Sequence, residues 1–187
     1  MASLVTTTEL IVWLDIADDT FPTDRATLLV NSASAAVRAH CGWNITSETV
    51  TGEVLDGSAQ YDLWLQTLWL TAVASVAEDG VTLTHEDHYT WRRSGRLVRV
   101  GQKWSGEPKI VTTTYTHGYP TGHPRLELAR AVCLQAAGRV VGNPGGLRSE
   151  TIGAVSWTAA GSGSDVVAFL VDDEKASLGP LTIPPEP

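Results

Sequence analysis

Between Lys109 and Arg139 the sequence changes its structural period without a linker. A β-branched run, Ile110-Val111-Thr112-Thr113-Thr114-Tyr115, leads to Gly118-Tyr119-Pro120, and the residues after Pro124 then read as a helix that is apolar on most of its faces. Gly142-Asn143-Pro144-Gly145-Gly146 stops that helix, and Arg148–Thr158 follows as an extended segment. A helix without a clear polar face needs cover from several sides. A chain of 187 residues is short for supplying all of it. We therefore expect neighbouring copies to share the task, which points to a subunit of an assembly rather than a solitary enzyme.

The rest of the chain sorts by period. Thr6-x-x-Glu9 is a capping box and predicts a short helix over Thr7–Ile16 with Leu10, Trp13 and Leu14 on one face. Asp18-Asp19-Thr20-Phe21-Pro22 ends it. A second helix is predicted over Thr23–Cys41, where Ala26, Leu29, Val30, Ala33, Val37 and Cys41 recur at helical spacing, with Gly42 as its stop. Its other face carries the small residues Ser32, Ser34 and Ala35. From about Thr49 to Tyr115 the period becomes two. Strands are predicted at Glu48–Leu55, Tyr61–Leu65, Val73–Glu78, His88–Arg92, Arg96–Val100 and Pro108–Tyr115. The turns between them are Asp56-Gly57, Asp79-Gly80, Ser94-Gly95 and Ser105-Gly106. Pro124–Val141 is the long helix. Ala159–Ser164 reads as a flexible joint, Asp165–Lys175 as a short helix capped by Ser164 or Asp165, and Ile183–Pro187 as an extended arm.

The expected class is α+β. A helical body of two N-terminal helices plus one long C-terminal helix carries an inserted small antiparallel β module, a sandwich or barrel, and an extended C-terminal arm. The expected boundaries are 1–43 for the N-terminal helices, 44–118 for the β module, 119–158 for the long helix and extended segment, and 159–187 for the arm.

Charged residues make up 18% of the chain, below the usual globular share, and the net charge is −8. That balance argues against a dedicated nucleic-acid binder. The cations are uneven. Arg92, Arg93, Arg96, Arg99, Lys103 and Lys109 are six of the thirteen Lys and Arg residues. Interleaved with Trp91 and Trp104 they resemble a nucleic-acid patch, but a charged sheet edge or a contact with an acidic protein explains them as well. Cys41 and Cys133 read as buried free thiols in a reducing compartment. Thr6-Thr7-Thr8-Glu9 interrupts the N-terminus before any apolar run, so no secretory leader is expected, and no apolar run is long enough to span a membrane.

His85-Glu86-Asp87-His88 is the only dense group of potential metal ligands. The four are consecutive and lack a further partner at diagnostic spacing, so a solvated acidic loop is the simpler reading. His117 and His123 flank Gly118-Tyr119-Pro120 with neither a nucleophile elbow nor a catalytic cysteine context. There Tyr119 reads as a packing anchor.

The order of elements, with particular words in it, resembles a known family. Those words are Leu63–Leu70 followed by Val73–Gly80, then His88-Tyr89-Thr90, Ser94-Gly95-Arg96-Leu97, Val111–Tyr119 and Arg148–Gly153. From about Leu4 to Thr158 the chain resembles the head-to-tail adaptor proteins of tailed bacteriophages, also called head completion or connector proteins. The resemblance implies a structural virion protein of the neck, assembled in the host cytoplasm. It implies a homo-oligomeric ring, usually dodecameric, docked beneath the portal protein. Such a ring lengthens the channel through which DNA passes without specific binding, and it offers a platform to the stopper or tail proteins. It implies no reaction, no cofactor, no metal and no membrane.

On this reading Leu29, Ala33, Val37, Leu128, Val132 and Ala136 are expected at subunit contacts. Arg148, Glu150, Ile152 and Trp157, with the C-terminal arm, are expected to reach the portal. Arg92, Arg93, Arg96 and Arg99 form a basic patch facing DNA or a partner. The rival readings are a β-dominated stopper or tail terminator, a small metal-dependent hydrolase using His85, Glu86 and His88, and a carbohydrate-binding β module with Trp platforms.

Overall fold

The computed structural model describes residues 3–16, 21–142, 149–152, 155–158 and 169–184. The chain divides into two compact units, Met1–Cys41 with Pro124–Thr182, and Gly42–His123 with Ile183–Pro187.

The first unit is helical. Helix α1 spans Thr7–Leu14 and opens on the expected capping box, with the Glu9 N–H donating to Thr6 Oγ1 at 3.2 Å and the Thr6 N–H donating to Glu9 Oε2 at 2.7 Å. It ends earlier than Ile16 because Asp15 turns left-handed at φ 52°. Helix α2 spans Thr23–Cys41, and Gly42 follows at φ +79°, the left-handed stop that glycine adopts without strain. Helix α3 spans Pro124–Gly142 and buries Leu126, Ala129, Val132, Cys133, Ala136 and Ala137. Helix α4 spans Asp172–Leu178 and runs into a 3-10 turn, Gly179–Leu181. The expected helix over Asp165–Lys175 falls partly outside the described residues, and the described helix begins at Asp172.

Helix α3 touches α1, α2 and α4, so most of its apolar surface is covered within its own chain while Leu128 stays exposed. The chain thus supplies much of the cover that the sequence led us to expect from neighbouring copies. The physical reason is residue size. Alanine and glycine on α3 let α1 approach closely, and a Cβ at Gly138 would meet Leu14 at 3.5 Å and the Trp13 indole at 3.6 Å. Two ionic ties hold the arrangement. Arg130 of α3 pairs with Glu9 of α1. Arg139 of α3 donates to Glu174 at 2.8 Å and to the Phe169 carbonyl at 2.8 Å, while Glu174 also accepts from the Val171 N–H at 2.9 Å. Cys41 and Cys133 are free and buried, and burial pushes the Cys41 thiol up to about 11.

The second unit is two antiparallel sheets around one core. Strands β1 (Glu48–Leu55), β2 (Asp62–Trp64), β3 (Leu70–Glu78), β4 (Val81–Thr82), β5 (Tyr89–Arg92), β6 (Arg96–Arg99) and β7 (Val111–His117) pair in the orders β1-β7-β3-β4 and β2-β6-β5. The β-branched run after Lys109 becomes the inner strand β7, whose Val111, Thr113, Tyr115 and His117 are buried while Thr112 is exposed. Leu63, Leu65, Leu70, Val76, Leu83, Tyr89, Leu97, Trp104, Val111 and Tyr115 fill the core from both sheets. Asp79 and Gly80, both left-handed at φ 51° and 74°, form a two-residue hairpin turn that creates β4, a strand absent from the sequence expectation. Strand β3 starts at Leu70 rather than Val73 because register shifts at Leu70/Ala72 and Val73/Ser75 break its period of two.

In place of one extended segment, Ser149–Ile152 (β8) and Val155–Thr158 (β9) pair antiparallel, with Ser149 opposite Thr158 and Ile152 opposite Val155.

The turn from β7 is clamped backbone to backbone. The Gly118 N–H donates to the Trp69 carbonyl at 2.9 Å and the Tyr119 N–H to the Ile45 carbonyl at 2.8 Å. Gly118 sits at φ +94°, and a Cβ there would lie 2.2 Å from the Thr46 carbonyl oxygen. Gly118→Ala is expected to destabilise the fold by more than about 3 kcal/mol, against about 1–2 kcal/mol for Gly80→Ala, whose φ is also positive but whose surroundings are open. Urea denaturation of the two variants checks the difference.

Candidate interaction surfaces

Strand geometry separates the four arginines that the sequence groups. Along β6, Leu97 and Arg99 are buried while Arg96 and Val98 are half-buried, because neighbouring residues of a strand face opposite ways. Arg99 donates to the Glu78 carboxylate at 2.8 and 3.1 Å and to the His88 carbonyl at 2.9 Å, and its guanidinium lies 5.3 Å from the Trp104 ring centre. The other Glu78 oxygen accepts from the Ser105 N–H at 2.7 Å. Arg99 is therefore an internal tie between β6 and β3, not part of an outward basic patch. An open cleft beside this pair is lined by both charge signs, including Glu78, Asp79, Lys103 and Glu107.

The outer face of the three-stranded sheet carries the rest. Trp64 of β2 stands opposite Arg96 of β6, and Arg96 stands opposite Arg92 of β5. The three form one cross-strand row. Arg96 pairs with Asp62, and its guanidinium lies 5.8 Å from the Trp64 ring centre. Trp64 is 59% exposed. Arg92 is exposed and has no ion pair among the described residues. Arg93 is also exposed and lies over the Trp69 ring at 4.5 Å.

His117 and His123 both lie among aromatic rings. Tyr119 is fully buried, stacked on His123 at 4.5 Å, with Trp43 and Trp69 rings 5.5 and 5.2 Å away. His117 lies between Thr67, at 3.2 Å from Nδ1, and Glu48, at 3.5 Å from Nε2. On paper this is a hydroxyl, a base and an acid. The Thr67 side chain, however, belongs to a residue only 2% exposed and already accepts from the Trp69 N–H at 3.1 Å, so no substrate carbonyl can reach it. Burial lowers the His117 pKa from its ordinary 6.5 against the opposing pull of Glu48. Burial, with a hydrogen bond to Glu53, raises that of Tyr115.

His85-Glu86-Asp87-His88 forms a tight exposed turn. His88 Nδ1 accepts from the Thr84 N–H at 3.0 Å, the Glu86 N–H donates to the Tyr89 carbonyl at 2.8 Å, and Glu86 is left-handed at φ 72°. One possible ligand nitrogen is thus committed to the backbone. Among the described residues no group of three His, Cys, Asp or Glu side chains is placed to hold a metal ion.

Five of the six residues expected at subunit contacts lie inside the helical unit. Leu29, Ala33, Val37, Val132 and Ala136 are at most 8% exposed, and only Leu128, at 37%, reaches the surface. The helices of one chain use that stripe on each other. The large apolar groups exposed on the helices are Val12 and Leu28, which periodicity passed over, and Trp13, which it placed on the apolar face of α1; they are 74%, 66% and 52% exposed. Leu28 is out of phase with Ala26, Leu29 and Ala33, which is the signal that could have found it. Trp64 alternates against Leu63 and Leu65 in the same way. Of the residues expected at the portal, Arg148 lies outside the described residues. Glu150 and Ile152 fall in β8 and Trp157 in β9, with Glu150 directly opposite Trp157.

Solved structures share this fold. A chain of the "Virion of native gene transfer agent (GTA) particle" superposes with a TM-score of 0.57 at 15% identity, over 83% of this chain and 86% of that one. A chain from the "Neck of native GTA particle computed with C12 symmetry" gives 0.51 at 15% identity, over 83% and 86%. One from the "Neck of empty GTA particle computed with C6 symmetry" gives 0.51 at 16%, over 89% and 87%. At these identities the likeness is one of fold. No protein-family profile matches the chain, and no curated protein does.

Two consequences can be measured. Arg99→Met leaves the half-buried Glu78 without its cation and is expected to cost about 2–3 kcal/mol, whereas Arg92→Met stays within about 0.5 kcal/mol, as urea titration would report. The folded state resists protonating His117. That contribution to stability is full above pH 6.5 and declines as the pH falls from there through the lowered folded-state value. Stability measured across this window is expected to drop more steeply in the wild type than in His117→Gln.

Proposed function

We propose that the chain is a structural neck protein of a phage-like particle and, within that class, a head-to-tail adaptor. The observation that carries the reading is a shared fold over most of both chains with components of gene transfer agent virions and necks. The α-helices among the described residues, two of them 19 residues long, favour an adaptor over a β-dominated stopper or tail terminator.

In this role the chain catalyses nothing. Copies form a ring, dodecameric in the simplest case, beneath the portal protein, extend the DNA channel and seat the stopper or tail. The symmetry of the neck reconstructions, C12 and C6, supports a repeated subunit. Subunit contact through helices falls to Val12, Trp13, Leu28 and Leu128, since the stripe from Leu29 to Val37 is already occupied. The hairpin β8–β9 reaches the portal, where an extended pair can add to another sheet. The net charge of −8 leaves DNA free to slide, because the ring neutralises few phosphates.

Negative-stain imaging of the chain mixed with its portal protein is expected to show a ring on the portal, and native mass spectrometry of that mixture showing only monomer would overturn the reading. Leu28→Asp is expected to weaken ring assembly at least about tenfold while changing unfolding free energy by no more than about 0.5 kcal/mol.

A further inference from the structure

We infer that the row Trp64–Arg96–Arg92 on the outer face of the three-stranded sheet docks a second copy of this chain, through that copy's exposed turn Glu86-Asp87. The inference rests on the ring reading above and gives it a specific contact.

Strand β5 carries opposite charge at its two ends. Glu86 and Asp87 precede it and Arg92 closes it. Among the described residues none of these three has an ion pair. Arg92 and Arg96 are direct cross-strand neighbours, an arrangement that is unfavourable for like charges unless compensated. Asp62 compensates Arg96 alone, which leaves Arg92 as the surplus cation. Beside it stands Trp64, 59% exposed, an aromatic surface of the kind that anchors protein contacts.

The acidic end is preorganised. The hydrogen bonds from Thr84 to His88 and from Glu86 to Tyr89 hold the turn, so little order is lost when it docks. The extended strand Tyr89–Arg92, about 13 Å of chain, sets the Glu86-Asp87 turn apart from Arg92, so one copy does not bring its own two ends together. A chain with a surplus of acid overall and an uncompensated cation at one place is electrostatically suited to another copy of itself at that place. Two different patches on one subunit make a head-to-tail contact, and such a contact closes into a ring when its rotation permits.

The experiment is sedimentation of the full chain at low and high salt, with Arg92→Glu, the double variant Glu86→Lys/Asp87→Lys, and their equimolar mixture. Self-association of the wild type is expected to weaken with salt. Each variant alone is expected to lose at least about tenfold in association constant, and the mixture to regain it, because each then meets the opposite charge. Far-ultraviolet circular dichroism identical to wild type excludes misfolding as the cause of any loss.

Wild type that stays monomeric at low salt, variants that associate as well as wild type, or a mixture that fails to recover would each overturn the contact. So would loss of binding to a duplex oligonucleotide by Arg92→Glu with self-association unchanged, which would make the row a phosphate site. The ring reading is tested separately by imaging necks. A ring there with no charge-swap recovery removes only this contact, whereas restored pairing without any ring in the neck removes the adaptor function and leaves the contact.

Discussion

The cover of helix α3 is the constraint on which the helical unit depends. Its buried residues, from Leu126 to Ala137, are exposed to water in any arrangement that lacks α1, α2 or α4. Burial of such surface is the main favourable term in folding, and it is proportional to area rather than to who provides it. Small side chains decide that the provider is the same chain. Ala129, Ala136, Ala137 and Gly138 leave room for other helices to come near, and two ion pairs, Glu9–Arg130 and Arg139–Glu174, register α1 and α4 against α3. Once those sides are used, the surface offered to partners is set by what is left over. On the proposed function, exposed Val12, Trp13 and Leu28 therefore carry the helical contacts in place of the stripe Leu29–Ala33–Val37.

The β unit obeys the same economy with charge. One arginine of four is drawn inside, where Glu78, a carbonyl and an indole ring satisfy it, because a buried cation without such partners would be prohibitive. One is paired at the surface with Asp62, one lies over Trp69, and Arg92 remains uncompensated. A run that looks uniform in sequence thus becomes four different environments within two short strands and a turn. The function proposed for the chain draws on these leftovers, apolar groups on the helices and a cation on the sheet, and not on any cleft built for chemistry.

Much of the secondary structure was legible from the residues. The capping box at Thr6 and Glu9, the glycine stop at Gly42 and the two periods located α1, α2, α3 and most strands to within a few residues, because each depends on contacts between near neighbours in the chain. Strand β4 and the true start of β3 were not legible. A two-residue hairpin with a partner only two residues long carries almost no periodic signal, and bulges erase the alternation that marks a strand. The pairing of β8 with β9 escaped for a related reason: an extended segment looks the same whether or not it folds back on itself.

What the sequence determined by itself was the α+β class and the order of helices and strands. Those properties follow from spacing along one chain. Which apolar side chains are spent on the chain's own core, and which of four arginines faces water, was decided only by tertiary structure. Both questions turn on groups far apart in sequence, such as Glu78 and Arg99 or Trp13 and Gly138, and on the small free-energy differences that select one packing over another.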